Sequence, residues 1–147
     1  MKLLDRDETI LLVTGTSEPA VQKDAPLAAW LQDEINRRGS GVPFRRALTV
    51  EDAAYVGTPS FHENPTIAIG GPGSNAVVQH FSDLLPTVWA REDKSFIQMG
   101  VDGRGRQVAL WGMDADGTRS AVEAFVEEGM LDALLERVWA FKPVVNT

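Results

Sequence analysis

Short apolar runs and amphipathic segments alternate along the chain, which predicts strands alternating with helices. Residues 9–14 form an apolar run without alternation, too short for a helix and ended by Gly15. Such a run predicts a strand that is buried on both faces. The next segment predicts an amphipathic helix that Asp24 caps and Gly39 ends, with Leu27, Trp30, Leu31 and Ile35 on its apolar stripe.

The middle of the chain predicts two more strands and a second helix. Residues 44–50 are less apolar, so we expect an edge strand there. Residues 51–65 lack long periodicity and predict a surface excursion, with one helical turn and a capping-box spacing at 60–63. A buried strand at 66–70 precedes a helix that Pro86 ends, with Val77, Phe81, Leu84 and Leu85 as its apolar residues.

The last third of the chain predicts a hairpin and a broken helix. Residues 96–100 and 107–112 read as two short strands joined by a turn that contains Asp102 and Gly103. The apolar face that follows breaks at Gly129, which predicts one interrupted helix or two consecutive helices. Trp139 and Phe141 are expected to cover the core or to contact a partner.

Together these elements predict a single α/β domain over residues 1–147. Alternating strands and helices favour a three-layer sandwich with a mostly parallel sheet, Rossmann-like or flavodoxin-like, and the hairpin predicts an antiparallel edge.

Composition narrows the function classes. The 147 residues carry a net charge of −7, which opposes attraction to nucleic acids and to anionic membranes. The chain has no cysteine, so disulfides, thiolate metal sites and cysteine nucleophiles are excluded. Residues 1–8 lack the apolar region of a signal peptide, and no long apolar span follows. We therefore expect a cytoplasmic protein with neither a nucleic-acid nor a membrane partner.

Three polar, glycine-rich turns follow predicted parallel strands, and ligands of α/β sheets collect at that edge. The turns are residues 15–17, 70–75 and 113–118. In the middle turn, the backbone amides of Gly71, Gly73, Ser74 and Asn75 are candidate donors to a phosphate. The turn lacks the spacing of G-x-G-x-x-G and the lysine of a P-loop, so an architectural corner capped by Ser74 or Asn75 is the competing interpretation.

The flanking turns carry further candidates. Thr16 and Ser17 are placed where a flavodoxin-like loop holds a flavin phosphate, although Glu18 and Pro19 disfavour an anion there. Asp114 and Asp116 have a spacing that suits a hydrated Mg²⁺ ion, whereas the structural interpretation is that Asp116 or Thr118 caps the last long helix. Arg119 could contact a bound anion, and the alternative is an ion pair with Glu123.

The sequence assigns no catalytic residue and no cofactor. His62 and His80 are the only histidines, and neither belongs to a metal or triad motif. His62 remains a third hypothesis as a general base that reaches the glycine-rich edge.

Two turn motifs resemble those of one known family. Gly70-Gly71-Pro72 followed by Asn75, and Gly112-Met-Asp114-Ala-Asp116-Gly117-Thr118-Arg119-Ser-Ala121, are similar to motifs in the α/β domain of archaeal surface-layer proteins and related stand-alone domains. The resemblance covers residues 66–129 and implies a structural domain without catalysis. The given sequence shows no signal peptide, serine- and threonine-rich stalk or membrane anchor of that family, so we do not expect assembly into an exported lattice.

The sequence therefore predicts a non-catalytic α/β module that binds a protein partner or associates with itself. The alternative is a domain that binds a phosphate-bearing ligand, a nucleotide or a flavin, through the glycine-rich edge.

Overall fold

The computed structural model describes residues 4–100 and 105–140. Its strands are β1 (Ile10–Thr14), β2 (Ala47–Glu51), β3 (Thr66–Ile69), β4 (Thr87–Arg91), β5 (Ser95–Met99) and β6 (Gln107–Gly112). Its helices are α1 (Glu18–Gly39), α2 (Asp52–Val56), α3 (Ala76–Leu84), α4 (Ala115–Glu127) and α5 (Met130–Ala140), and a short 3-10 helix spans Pro59–Glu63.

The strands form one six-stranded sheet in the order β2-β1-β3-β6-β5-β4. Strands β2, β1, β3 and β6 are mutually parallel, and β5 is antiparallel to both of its neighbours. The predicted α/β class with a mostly parallel sheet is confirmed. The predicted hairpin is also confirmed as β5–β6, although its Asp102-Gly103 turn lies outside the described residues.

Helices cover both faces of the sheet. On one face α1, α4 and α5 enclose the larger apolar core, which contains Leu31, Ile67 and Phe125. On the other face α2 and α3 enclose a smaller core that contains Leu11, Tyr55 and Phe81. The sheet is therefore the middle layer of three, because its parallel strands bury side chains on both sides.

Strand β4 was missed by the sequence interpretation. It forms the outer edge of the sheet beyond β5, and four of its five residues are exposed. An exposed edge strand has no buried face, so it lacks the alternation of apolar and polar residues that predicts a strand. The other edge, β2, lies where the sequence predicted an edge strand.

The predicted start of α1 was wrong. The helix begins at Glu18, where the Ser17 side chain accepts a hydrogen bond from the Ala20 amide, and Pro19 lies in the first turn. Asp24 is therefore inside the helix and not at its cap. Ser17 and Pro19 are a sufficient start signal, since proline in the first turn loses no hydrogen bond.

The C-terminal helices differ from the prediction only in their cap. Gly129, at φ 83°, separates α4 from α5, as the break in the apolar face predicted. Asp114 caps α4 by accepting a hydrogen bond from the Gly117 amide, whereas the sequence interpretation assigned this role to Asp116 or Thr118. Helix α4 begins one residue after Asp114, which places only that carboxylate at the open amides.

Trp139 contributes to the core. Its ring is buried in the larger apolar cluster, and its Nε1 donates a hydrogen bond to the Glu8 carbonyl at 2.8 Å. Of the two predicted roles, covering the core or contacting a partner, Trp139 therefore has the first. Phe141 lies outside the described residues.

Candidate functional site

The three glycine-rich turns follow β1, β3 and β6, which are parallel neighbours, so they lie along one edge of the sheet. We call this edge the rim. The first two turns are in direct contact, because a Cβ atom on Gly15 would lie 2.0 Å from the Ser74 carbonyl oxygen. The direction of chain connections reverses between β1 and β3, and an open crevice is common at such a point. Here the contact between the turns after β1 and β3 closes that crevice.

Asn75 fills the junction between β1 and β3. Its side-chain Nδ2 donates to the carbonyls of Val13 at 3.0 Å and Ile69 at 2.9 Å, which are close to the ends of the two strands. Its Oδ1 accepts hydrogen bonds from the amides of Val77 and Val78 in the first turn of α3. The residue is 1% exposed. Asn75 therefore caps the helix, as the structural interpretation predicted, and also joins two strands.

Asp52 occupies the anion position at the N-terminus of α3. Its Oδ2 accepts a hydrogen bond from the Ala76 amide at 2.9 Å. Its Oδ1 accepts from the Thr16 hydroxyl at 2.6 Å and from the Ala53 amide at 2.8 Å. Burial alone raises the pKa of Asp52, but the hydrogen bonds from Ala76, Thr16 and Ala53 together outweigh it and hold the pKa below 3.8.

Two of the four backbone amides predicted to hold a phosphate already have acceptors within the chain. The amides of Ser74 and Asn75 both donate to the Gly71 carbonyl at 3.0 Å. The amides of Gly71 and Gly73 have no acceptor among the described residues. The α3 amides that give such a turn its affinity for anions are satisfied by Asp52 and Asn75.

The first turn is also used internally. Thr16 donates its hydroxyl hydrogen to Asp52, and Ser17 caps α1. The two hydroxyls predicted to contact a flavin phosphate therefore support the rim itself.

The predicted metal and anion residues of the third turn are not brought together into a cluster. Asp114 caps α4, and Asp116 is exposed in the first turn of that helix. Within the described ranges, no group of three or more His, Cys, Asp or Glu side chains has a geometry that could hold a metal ion. The expected ion pair between Arg119 and Glu123 is not among those that the described residues form. Exposed pairs of this kind gain little energy, since both side chains lose rotamer freedom.

His62 does not reach the rim. It belongs to the 3-10 helix before β3, at the opposite end of the strands, and its Nε2 lies 2.9 Å from the Tyr55 carbonyl oxygen. Its ring packs against the Tyr55 ring, with the two ring centroids 4.7 Å apart. Within the segment 51–65, Asp52 reaches the rim. The later residues lie towards the opposite end of the strands, where the Tyr55 hydroxyl meets Thr66 at the start of β3.

The sequence interpretation missed the role of Asp24 in a crevice of about 150 Å³ on the rim. The crevice lies between α1, the turn after β3 and the turn after β6. Asp24 is 5% exposed, and its carboxylate lies against Gly70, where a Cβ atom would be 2.6 Å from Oδ2. Burial raises the pKa of Asp24 to about 6, and the nearby Lys23 charge opposes that shift. An aspartate in the middle of an amphipathic helix could have given this signal.

The described segments contain no helix with both the length and the apolar character needed to cross a bilayer. A comparison of the sequence with models of known protein families finds no match. A search of curated proteins finds no match either.

Proposed function

We propose that this chain is a non-catalytic intracellular assembly module that pairs with a second copy of itself along the exposed β4 edge. The observation that carries the proposal is the difference between the two edges of the sheet. Open edge strands present rows of unpaired N–H and C=O groups to any strand that can add to them.

The first residue of the β2 edge is covered by side chains of α1. The Ala47 amide donates to Asn36 Oδ1 at 2.8 Å, and the Ala47 carbonyl accepts from Gln32 Nε2 at 2.9 Å. A strand that approached β2 would have to displace both side chains. Helix α1 therefore protects the start of this edge against pairing.

The β4 edge has no such cover in the described part of the chain. Strand β4 pairs only with β5, so the backbone groups that face away from β5 are open. Val88 is 48% exposed, and Leu84, at the end of α3 and four residues earlier in the chain, is also exposed. An open edge beside apolar side chains is the pattern that strand addition covers.

A second copy is the partner that we infer for this edge. Antiparallel pairing of β4 with itself about a two-fold axis uses the same outward groups on both chains. Val88 belongs to the strand that forms this contact. One such contact closes on itself and gives a dimer, not a fibre.

The test compares two valine variants of similar exposure. Val88→Lys places a charge on the β4 edge, and Val42→Lys places it in the loop before β2, where Val42 is 45% exposed. Sedimentation velocity over a range of protein concentrations should show a dimer for the wild type and for Val42→Lys, and a monomer for Val88→Lys. A wild-type chain that stays monomeric at 0.5 mM, about the upper end of weak protein affinities, would refute the proposal.

The alternative proposal, a phosphate-bearing ligand at the glycine-rich rim, has weaker support. The Asp52 carboxylate already accepts from Ala76, and a phosphate would have to displace a like charge. A thermal-shift screen with nucleotides and flavins, with and without Mg²⁺, tests it separately. Any ligand at 100 times its dissociation constant would stabilise the fold by about 2.7 kcal/mol, so a clear shift would favour the alternative.

A further inference from the structure

The rim crevice beside Asp24 is a second candidate site, and it does not depend on the β4 edge. Six residues matter to its chemistry. They are Lys23 and Asp24 of α1, Gly71 and Ser74 of the turn after β3, and Asp114 and Thr118 at the start of α4.

Asp24 is buried, and its carboxylate has no hydrogen-bond donor among the described residues. The residue is 5% exposed. The Lys23 ammonium is close enough to influence it but forms no ion pair with it within 4.0 Å. A buried carboxylate without a donor is costly, and proteins rarely retain one without a compensating interaction.

The walls of the crevice around Asp24 are rich in acceptors. Asp114 uses Oδ1 to accept from Gly117, which leaves Oδ2 without a partner among the described atoms. The Gly112 carbonyl oxygen lies 3.7 Å from the position of a Cβ atom on Gly71. The hydroxyls of Ser74 and Thr118 donate to carbonyls at 3.3 and 3.2 Å and retain lone pairs.

The helix N-termini near the crevice do not offset its excess of hydrogen-bond acceptors. Ser17 accepts from Ala20 at the start of α1, and Asp114 accepts from Gly117 at the start of α4. One amide at each helix end therefore has an acceptor, which weakens the attraction of these helix ends for an anion. Of the charged side chains that line the crevice, two are acidic and Lys23 is basic.

We propose that this crevice binds a small nitrogen cation, a primary ammonium or guanidinium group, with the Asp24 carboxylate as its principal acceptor. Such a group donates several hydrogen bonds at once and suits a wall of carboxylate, carbonyl and hydroxyl oxygens. A volume of about 150 Å³ accommodates the cationic group and leaves its substituent at the open mouth.

The test is a titration of the isotope-labelled full chain followed by amide NMR. The probes are ethylammonium and methylguanidinium chloride, with tetramethylammonium chloride as a control of equal charge that has no N–H donor. We expect saturable shifts at Gly70, Gly71, Ser74 and Thr118 with at least one of the first two probes. Unchanged spectra with both, or equal shifts with tetramethylammonium, would overturn the proposal.

Two protein variants test the acceptor directly. Asp24→Asn should weaken binding about tenfold or more, because an amide is a poor substitute for a buried carboxylate. Lys23→Gln removes the competing positive charge and should tighten binding. Asp116→Asn, at an exposed position in the first turn of α4, should leave the binding affinity unchanged. Equal affinity in all three variants would contradict the site, and the Lys23→Gln arm remains informative if Asp24→Asn does not fold.

A third titration identifies the source of the cation. N-acetyl-lysine methylamide carries the same ammonium on an amino-acid side chain. Tighter binding than ethylammonium would assign the group to a side chain of a partner protein, and weaker binding would assign it to a free amine.

Discussion

Asp52 Oδ2 accepts a hydrogen bond from the Ala76 backbone amide at 2.9 Å, so the N-terminus of α3 carries an anion that belongs to the chain itself. The same carboxylate accepts from Thr16 at 2.6 Å. It therefore connects the turn after β1, the start of α2 and the start of α3. A position that binds phosphate in other α/β proteins is part of the architecture here.

Loss of this carboxylate should destabilise the fold. Asp52→Ala leaves the Ala76 amide and the Thr16 hydroxyl without their acceptor, and we expect a loss of about 2 kcal/mol in the free energy of unfolding. Urea denaturation measures it. Glu51→Ala is the matched control, because the neighbouring Glu51 is exposed and its side chain makes no capping hydrogen bond. Equal stability of the two variants would refute the role assigned to Asp52.

Asn75 should be more sensitive than its neighbour Ser74. Asn75→Ala removes two donors and two acceptor contacts from a buried site, and we expect a loss of about 3 kcal/mol. Ser74→Ala removes one hydrogen bond of 3.3 Å and should change stability by less than about 0.5 kcal/mol. Thermal and urea unfolding of the two variants provide the comparison, and a reversed order would contradict the assignment of Asn75 as the connecting side chain.

Two glycines of the rim should respond differently to an added methyl group. At Gly15 a Cβ atom would lie 2.0 Å from the Ser74 carbonyl oxygen, so the two turns would have to separate. We expect Gly15→Ala to cost about 3 kcal/mol. At Gly73 a Cβ atom meets nothing within 4 Å, and Gly73→Ala should be close to neutral. Unfolding curves measured side by side check the contrast, which disappears if the turns are not in contact.

Asp24 should make stability fall as pH rises. Its pKa is about 6 in the folded chain and 3.8 without burial, so the folded state holds this proton more tightly. The associated stability is fully present below about pH 3.8 and is lost as pH rises through 6. Asp24→Asn should therefore be more stable than wild type at pH 7.5, by at most about 3 kcal/mol, and the difference should shrink towards pH 4.

Asp52 provides the control of opposite sign. Hydrogen bonds hold its pKa below 3.8, so its contribution is present above that value and is lost as pH falls through the lower folded pKa. Asp52→Asn should be less stable than wild type at pH 7.5 and should approach it in acid. Parallel pH profiles for the Asp24 and Asp52 variants would contradict both assignments.

The sequence by itself determined the class of fold, because apolar periodicity is a local property. The buried runs before Gly15 and Gly70 marked strands, the apolar stripes marked helices, and the break at Gly129 separated the last two helices. Local signals failed where one element depends on another. Strand β4 has no buried face of its own and exists because β5 pairs with it. Asp24 resembles a cap by type, yet Ser17 caps the helix seven residues earlier.

Only the tertiary structure decided which backbone amides near the glycine-rich rim already have acceptors. Placing three turns at one edge followed from a parallel sheet, so their residues could be named in advance. Whether the first amide of α3 was free depended on Asp52, which is remote in sequence from Ala76 but accepts a hydrogen bond from its amide. The same packing buried Asp24 against Gly70 without a donor. A residue's type sets what it can bind, and its neighbours in space decide whether that capacity is already used.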